Sequence, residues 1–179
     1  MKRFLPVFAT LLFFSPLAAE AQTSCATGDI DCFIREETVR IQQRPESGWS
    51  LIKRANLYKD KKSFDLAIAD YNRALVVKDP TISDGHFEDM VYNYRGDAYF
   101  QKRDYDNAIK DLTTPINRGS NWEDLFFKRG NAYFEKLNFD GALKDFDRVE
   151  KIFADKGRRP RCPRTSFSNV DEPNWVRKT

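Results

Sequence analysis

The sequence predicts an all-α fold, and three observations support this prediction. The chain of 179 residues is 41% hydrophobic and 32% charged, which provides enough apolar material for one globular core. A motif of two amphipathic segments occurs three times, and its apolar residues recur with helical spacing. Each second segment is preceded by a residue suited to capping a helix, namely Ser63, Asp104 and Asn138.

The N-terminal residues have the pattern of a secretory signal peptide. Met1–Arg3 is positively charged, Phe4–Leu17 is almost entirely apolar, and Ala19–Ala21 fits the small-residue rule for cleavage. The apolar run is shorter than the roughly 20 residues that a membrane-spanning helix requires. We therefore expect cleavage after Ala21, no stable membrane span in the mature chain, and a periplasmic or secreted protein.

Export would place the three cysteines in an oxidising compartment, where thiols tend to pair. Cys25 and Cys32 enclose a short turn-forming segment and are the expected disulfide. Cys162 then remains for an intermolecular bond, or it pairs with one of the other two and ties the tail to the N-terminal segment. Lipidation at Cys25 is a further alternative, although Gln22 stands where an aliphatic residue is required.

The repeated motif is a small residue followed at fixed spacings by a tyrosine and an alanine. A tyrosine follows three positions after Ala55, Gly96 and Gly130, and an alanine follows twelve positions after each. The small residues are separated by 41 and 34 positions, and the additional seven residues of the first interval fall at about 81–85. The matching residues are Tyr58, Tyr99, Tyr133, Ala67, Ala108 and Ala142.

With these residues the chain resembles the tetratricopeptide repeat family over about residues 48–156. The resemblance implies a right-handed α-solenoid of three helix-turn-helix repeats, in which stacked helix pairs share one core. The predicted organisation is a signal peptide at 1–21, an N-terminal segment with a capping helix at 22–47, repeats at about 48–81, 89–122 and 123–156, and an irregular basic tail at 157–179.

Three features depart from the family pattern, of which one is a closing proline, Pro80, that comes one place late. Arg54, Arg95 and Arg129 occupy the position at which the family favours leucine. Pro115 lies in the second helix of the second repeat, where an interior proline costs about 3 kcal/mol, so we expect an early helix end or a kink. Aspartates also recur in the second helices, and we interpret them as capping and solvent-exposed residues: Asp65, Asp70, Asp106, Asp111, Asp140 and Asp145.

Composition and motifs argue against several classes of function. The net charge of +3 is too small to attract nucleic acid or anionic lipid over the whole surface. The single histidine, His86, leaves few ways to build a zinc site, and no nucleophile elbow, phosphate loop or dinucleotide fingerprint occurs. We therefore predict a protein that is not an enzyme and has no cofactor, no metal and no nucleic-acid partner.

The resemblance further implies that the first helices line a concave face, which we expect to bind a peptide or a protein partner. Asparagines in the stripe beside the core can bond to a peptide backbone, and phenylalanines can bury apolar side chains. Alternatively, those phenylalanines pack under the tail or an adjoining repeat. The predicted partner-binding residues are Ile52, Asn56, Lys59, Asn93, Asp97, Phe100, Phe127, Asn131 and Phe134.

The sequence thus favours an exported interaction module or scaffold, with two alternatives. The segment Arg158–Arg164 is rich in arginine and is a candidate site for an anionic polymer or nucleic acid. Cys25 and Cys32 are candidates for thiol-disulfide exchange, although such enzymes usually use a tighter Cys-x-x-Cys spacing.

Overall fold

The computed structural model describes residues 25–77 and 85–157. These residues form helices and turns with no strand among them, which confirms the predicted all-α fold. The predicted signal peptide, most of the insertion at 81–85, Cys162 and nearly all of the basic tail lie outside the described residues. The helices are α1 (Ile30–Gln43), α2 (Gly48–Asp60), α3 (Phe64–Val77), α4 (His86–Gln101), α5 (Tyr105–Asn117), α6 (Glu123–Glu135) and α7 (Phe139–Asp155).

The helices are arranged as three stacked hairpins preceded by α1. In each hairpin the first helix packs against the second, so that α2 contacts α3, α4 contacts α5 and α6 contacts α7. Each first helix also packs against the second helix of the preceding hairpin, and α1 contacts α2 in the same manner. α1 therefore takes the place of the second helix of an additional N-terminal repeat.

The three hairpins close with the same turn. Lys62, Arg103 and Leu137 have positive φ angles of 59°, 65° and 60°, a conformation that costs a residue with a side chain about 1 kcal/mol. The hydrogen bonds of the helix end offset this cost. The residue after each then donates its backbone N–H to a tyrosine carbonyl: Ser63 to Tyr58 (2.8 Å), Asp104 to Tyr99 (2.9 Å) and Asn138 to Tyr133 (2.9 Å).

Small residues in the first helices allow close contact within each hairpin. Ala55 is completely buried in the first repeat. A Cβ atom added to Gly96 would lie 2.9 Å from Cγ of Leu112, and one added to Gly130 would lie 2.7 Å from Cε1 of Phe146. Carbon atoms that are not bonded prefer separations of about 3.5 to 4.0 Å. The second and third hairpins therefore require glycine at these positions.

Each hairpin contains a bidentate ion pair between its two helices. Nε and Nη2 of Arg54 in α2 donate to the two carboxylate oxygens of Asp70 in α3, each at 2.7 Å. We call this pair and its two counterparts the arginine–aspartate ladder. The counterparts are Arg95 with Asp111 (2.6 and 2.7 Å) and Arg129 with Asp145 (2.8 and 2.7 Å).

The ladder also joins neighbouring repeats. Nη1 of Arg54 donates to Oγ1 of Thr38 in α1 at 3.0 Å, and Nη1 of Arg129 donates to Oγ1 of Thr113 in α5 at 3.0 Å. Each guanidinium therefore holds three helices together. The middle repeat uses an amide as the acceptor, since Nη1 of Arg95 donates to Oδ1 of Asn72 at 2.5 Å.

The expectation that the ladder aspartates are solvent-exposed is wrong. Asp70, Asp111 and Asp145 are only 6%, 4% and 3% exposed, because each carboxylate lies against an arginine inside its hairpin. Hydrogen bonding to Asp70 raises the pKa of Arg54. For Arg95, burial opposes the charge, but the hydrogen bonds and the charge of Asp111 outweigh it and raise the pKa. The arginines thus stay charged in a partly buried setting.

The expectation of an early helix end at Pro115 is also wrong, since α5 continues to Asn117. Pro115 lies in the last turn, where the closing turn supplies the hydrogen bonds. The N–H of Gly119 donates to the Ile116 carbonyl and that of Ser120 to the Pro115 carbonyl, both at 3.0 Å. Gly119 permits this closure with a φ of 92°. A proline this close to the end therefore disturbs little of the helix.

A disulfide closes the segment that precedes α1. It joins Cys25 to Cys32, whose Cα atoms lie 5.6 Å apart, a usual separation for bonded cysteines. Cys32 lies in the first turn of α1, and its backbone N–H donates to Oδ1 of Asp29 at 2.8 Å. A side-chain cap and a covalent bond therefore fix the start of this helix together.

Removing one member of the ladder should destabilise the fold strongly. Arg95→Ala leaves the buried Asp111 carboxylate unpaired, so we expect the free energy of unfolding to fall by about 3 to 5 kcal/mol. Urea denaturation followed by circular dichroism measures this loss. Lys102→Ala is the matched control, because the Lys102–Asp65 pair is exposed and should contribute little. Equal losses for the two substitutions would contradict the ladder's role.

Removing the disulfide should have a moderate effect. The Cys25→Ser, Cys32→Ser double variant should lose about 2 to 3 kcal/mol, as expected for a bond that closes a short loop. Thermal unfolding of oxidised, reduced and variant protein measures the difference. Reduced wild-type protein should match the variant. Free thiols at both positions in non-reducing peptide maps of envelope-derived protein would show that the bond does not form in the cell.

Candidate functional site

The first helices of the hairpins form one continuous face. α2 contacts α4 and α4 contacts α6, whereas the second helices of successive hairpins are not in contact within the described ranges. The stack is therefore tighter on the side of the first helices, and that side is the inner side of its curve. We call the surface of α2, α4 and α6 on this side the inner face. It is the face that the sequence predicted for partner binding.

Two of the predicted partner-binding residues are buried in the fold. Ile52 is 2% exposed and belongs to the hydrophobic core, so it offers almost no surface to a partner. Asn93 is 7% exposed and is held by α6. Its Nδ2 donates to Asp124 at 2.9 Å, and its Oδ1 accepts from Nζ of Lys128 at 2.9 Å. We therefore do not count either residue among those that contact a partner.

The charged residues of the inner face pair across repeats. Nζ of Lys59 in α2 lies 2.5 Å from Oδ2 of Asp97 in α4, and both side chains are largely buried. Asp97 also accepts from Gln101 at 3.1 Å. In α6, Nζ of Lys128 lies 2.7 Å from Asp124, one helical turn away. Lys59 and Lys128 therefore have their charge neutralised by the protein itself.

Asn56 and Asn131 occupy equivalent places in α2 and α6 but differ in their contacts. Oδ1 of Asn56 accepts a hydrogen bond from the Tyr71 hydroxyl at 2.6 Å. Burial, with the nearby charge of Asp97, raises the pKa of Tyr71, so the phenol stays protonated as the donor. Asn131 is half-buried and its side chain makes no hydrogen bond to the described residues. It keeps both its donor and its acceptor for a ligand.

The phenylalanines of the inner face each lie against a ring of their own hairpin. The ring centroids of Phe100 and Tyr105 are 5.6 Å apart, and those of Phe134 and Phe139 are also 5.6 Å apart. Phe127 lies 6.1 Å from Phe146. All three inner-face phenylalanines are partly exposed, so part of each ring is open to a partner as well as packed within the fold.

The opposite side of the third repeat carries a groove that the sequence did not reveal. It has a volume of about 770 Å³, and its lining includes Phe126 and Tyr133 of α6. Lys144, Arg148 and Lys151 of α7 line it as well, together with Asp145 and Asp147, so cations outnumber carboxylates in its wall. The spacing of the three α7 cations, four and three residues, places them on one side of a helix. This spacing is the feature of the sequence from which a cluster of cations on α7 could have been predicted.

One cluster among the described residues has the spacing of metal ligands. Ligand atoms of Cys25, Cys32 and Glu36 lie within 4.8 Å of one another. The two sulfur atoms are bonded to each other, so neither is a thiolate available to a metal ion.

In the part of the chain that the structure describes, no helix is sufficiently long and apolar to span a membrane.

Comparison with known proteins agrees with this architecture. Residues 50–76 and 91–114 match the tetratricopeptide repeat family, and they coincide with the first two hairpins. Similar solved structures include a crystal structure of MamA, at 22% identity and a TM-score of 0.61 over 74% of this chain and 82% of that chain. The structure MamA MSR-1 C2 is similar at 16% identity and a TM-score of 0.60, over 73% and 71%. The curated proteins contain no significant match.

The first two hairpins of the chain are thus similar to tetratricopeptide repeats. The third hairpin lies outside the matched segments but has the same turn and the same ladder contact as the other two. Repeats of this family support the assignment of a protein-protein interaction module. The solved structures share less than a quarter of their residues with this chain, so their likeness concerns the fold alone.

Proposed function

We propose that the chain is an exported module that binds a peptide segment of a partner protein along its inner face. The observation that carries this proposal is the direct contact between successive first helices, which gives α2, α4 and α6 one uninterrupted surface. An extended peptide can contact several such helices at once and gather small contributions from each. Export rests on the signal-peptide pattern at 1–21 and is consistent with the Cys25–Cys32 bond.

The chemistry of the inner face favours an uncharged, partly apolar segment. Lys59 and Lys128 are paired with aspartates, so they are poorly placed to recognise a free terminal carboxylate. Asn131 can hydrogen-bond a peptide group, and the half-exposed Phe127 and Phe134 stand on the same helix. We therefore place the centre of the site on α6, with Phe100 of α4 at its border.

A second candidate function is the binding of an anionic polymer on the opposite side. The basic wall formed by Lys144, Arg148 and Lys151 favours it, and the arginine-rich segment Arg158–Arg164 follows closely after α7 in the chain. Affinity that falls steeply with salt, and that is lost when these cations are replaced, would support this candidate. Thiol-disulfide exchange through Cys25 and Cys32 is tested separately by turnover in a disulfide-reduction assay.

Substitutions on the inner face should weaken binding without unfolding the protein. A partner is first obtained by pull-down from the envelope fraction and identified by mass spectrometry. Phe134→Ala or Phe100→Ala should then weaken its binding by about 2 kcal/mol or more, because buried aromatic residues dominate such interfaces. Titration calorimetry measures the affinity, and circular dichroism confirms the fold.

Leu66→Ala is the matched control, since Leu66 is an exposed apolar residue on a second helix, away from the inner face. The affinity of the Leu66→Ala variant for the partner should equal that of the wild type. If the phenylalanine variants keep full affinity while replacement of Lys144, Arg148 and Lys151 abolishes binding, the inner face is not the site.

A further inference from the structure

Among the described residues, no helix covers the outer face of α7, unlike the same face of α3. Ile68 directly follows the repeat alanine in α3, the helix against which α4 packs, and it is only 8% exposed. Leu143 has the corresponding position in α7 and is 61% exposed, and Phe139 one turn earlier is 56% exposed. No described helix packs on this side of α7. The third repeat thus presents an apolar surface that the first repeat buries.

A series of exposed ion pairs also stops at α7. The helices α1, α3 and α5 each carry an aspartate that pairs with a lysine at the end of the first helix that follows. The corresponding residue of α7, Asp140, has no ion-pair partner among the described residues. The pairs are Asp31 with Lys61 (2.5 Å), Asp65 with Lys102 (2.6 Å) and Asp106 with Lys136.

The acceptors for the ladder arginines form a second series. Thr38, Asn72 and Thr113 each accept a hydrogen bond from the arginine of the next repeat. The corresponding residue of α7 is Asp147, which is exposed and makes no ion pair within 85–157. A carboxylate here would bind a guanidinium more strongly than a hydroxyl or an amide does. α7 therefore offers both acceptors of the repeat pattern, with an apolar surface beside them.

We propose that this α7 face, defined by Phe139, Asp140, Leu143 and Asp147, binds an amphipathic helix of another protein. The three helices that cover the preceding faces define the chemistry of that helix. Each carries an arginine, a tyrosine four residues later and a lysine seven residues later, on one stripe of the helix. The arginine would meet Asp147, the lysine would meet Asp140, and the apolar residues between them would cover Leu143.

The basic tail of this chain lacks this pattern. Its arginines within Arg158–Arg164 are followed seven positions later by threonine, serine or aspartate, and none by lysine. Pro160, Pro163 and Pro173 further divide the tail into short pieces, and proline is not tolerated inside a helix. Residues 157–179 therefore do not supply this helix, and in this proposal it comes from a partner protein. This face adjoins the inner face at Phe139, whose ring lies against Phe134. Substitutions at Leu143 and Asp147 leave Phe134 in place, so they test the α7 face independently of the inner face.

A synthetic peptide with the sequence of residues 122–138 tests the α7 face, because α6 carries the required stripe in Arg129, Tyr133 and Lys136. A lactam between the Asp124 and Lys128 side chains, which already lie 2.7 Å apart, holds it helical. Added to the isotope-labelled mature chain, it should shift the amide resonances of α7 around Leu143 and leave those of α2 unchanged.

Variants of the full chain sharpen this test. Asp147→Lys should weaken peptide binding about tenfold and Leu143→Glu by more, whereas Asp155→Lys, near the end of the same helix, should stay within about twofold of the wild type. All three positions are exposed, so thermal unfolding should change little. A peptide with Arg129→Asp should bind the Asp147→Lys variant better than the wild type, because the swap restores opposite charges.

Three results would overturn the proposal. The first is the absence of any resonance shift at about 1 mM peptide, since a peptide that the lactam already keeps helical loses little conformational entropy on binding. The second is shifts confined to the inner face. The third is equal affinity for a peptide in which Arg129→Gln and Lys136→Gln remove both cations.

Discussion

The arginine–aspartate ladder is the interaction on which the arrangement of the repeats depends. An isolated guanidinium is costly to bury, and each arginine reaches its place only because a buried aspartate of the same hairpin meets it with two hydrogen bonds. The remaining N–H group then reaches the preceding repeat, at Thr38 in the case of Arg54. One residue type thus fixes both the geometry within a hairpin and the stacking between hairpins. A leucine at the same position would fill space without specifying either neighbour.

The sequence predicted the helix pairs well because their signals are local. Helical spacing, capping residues and the small residues at Gly96 and Gly130 each act within one hairpin. The prediction that Asp70 is exposed was wrong because an aspartate in an amphipathic helix normally faces solvent. The departure at Arg54 and the recurrence of Asp70 sixteen positions later were both visible, and together they implied an ion pair. Neither residue alone carried that information.

The candidate site shows the same division between local and long-range information. A stripe on the first helices could be identified from spacing, but the pairing of its charges could not. Lys59 and Asp97 belong to different repeats, and their contact depends on how closely α2 and α4 approach. Ile52 is likewise buried in a core cluster to which several helices contribute. The sequence therefore identified the face, and the packing determined which of its residues remain accessible.

The acceptor contacts of the ladder also show how the chain tolerates a change in length. Thr38 and Arg54 are separated by 16 positions, as are Thr113 and Arg129, whereas Asn72 and Arg95 are separated by 23. The same three-helix contact forms in all cases, so the additional residues are accommodated without altering the stack. Lengthening a connection costs conformational entropy only slowly, in proportion to the logarithm of its length. The junction between α3 and α4 is therefore a natural place to graft an epitope or a reporter sequence.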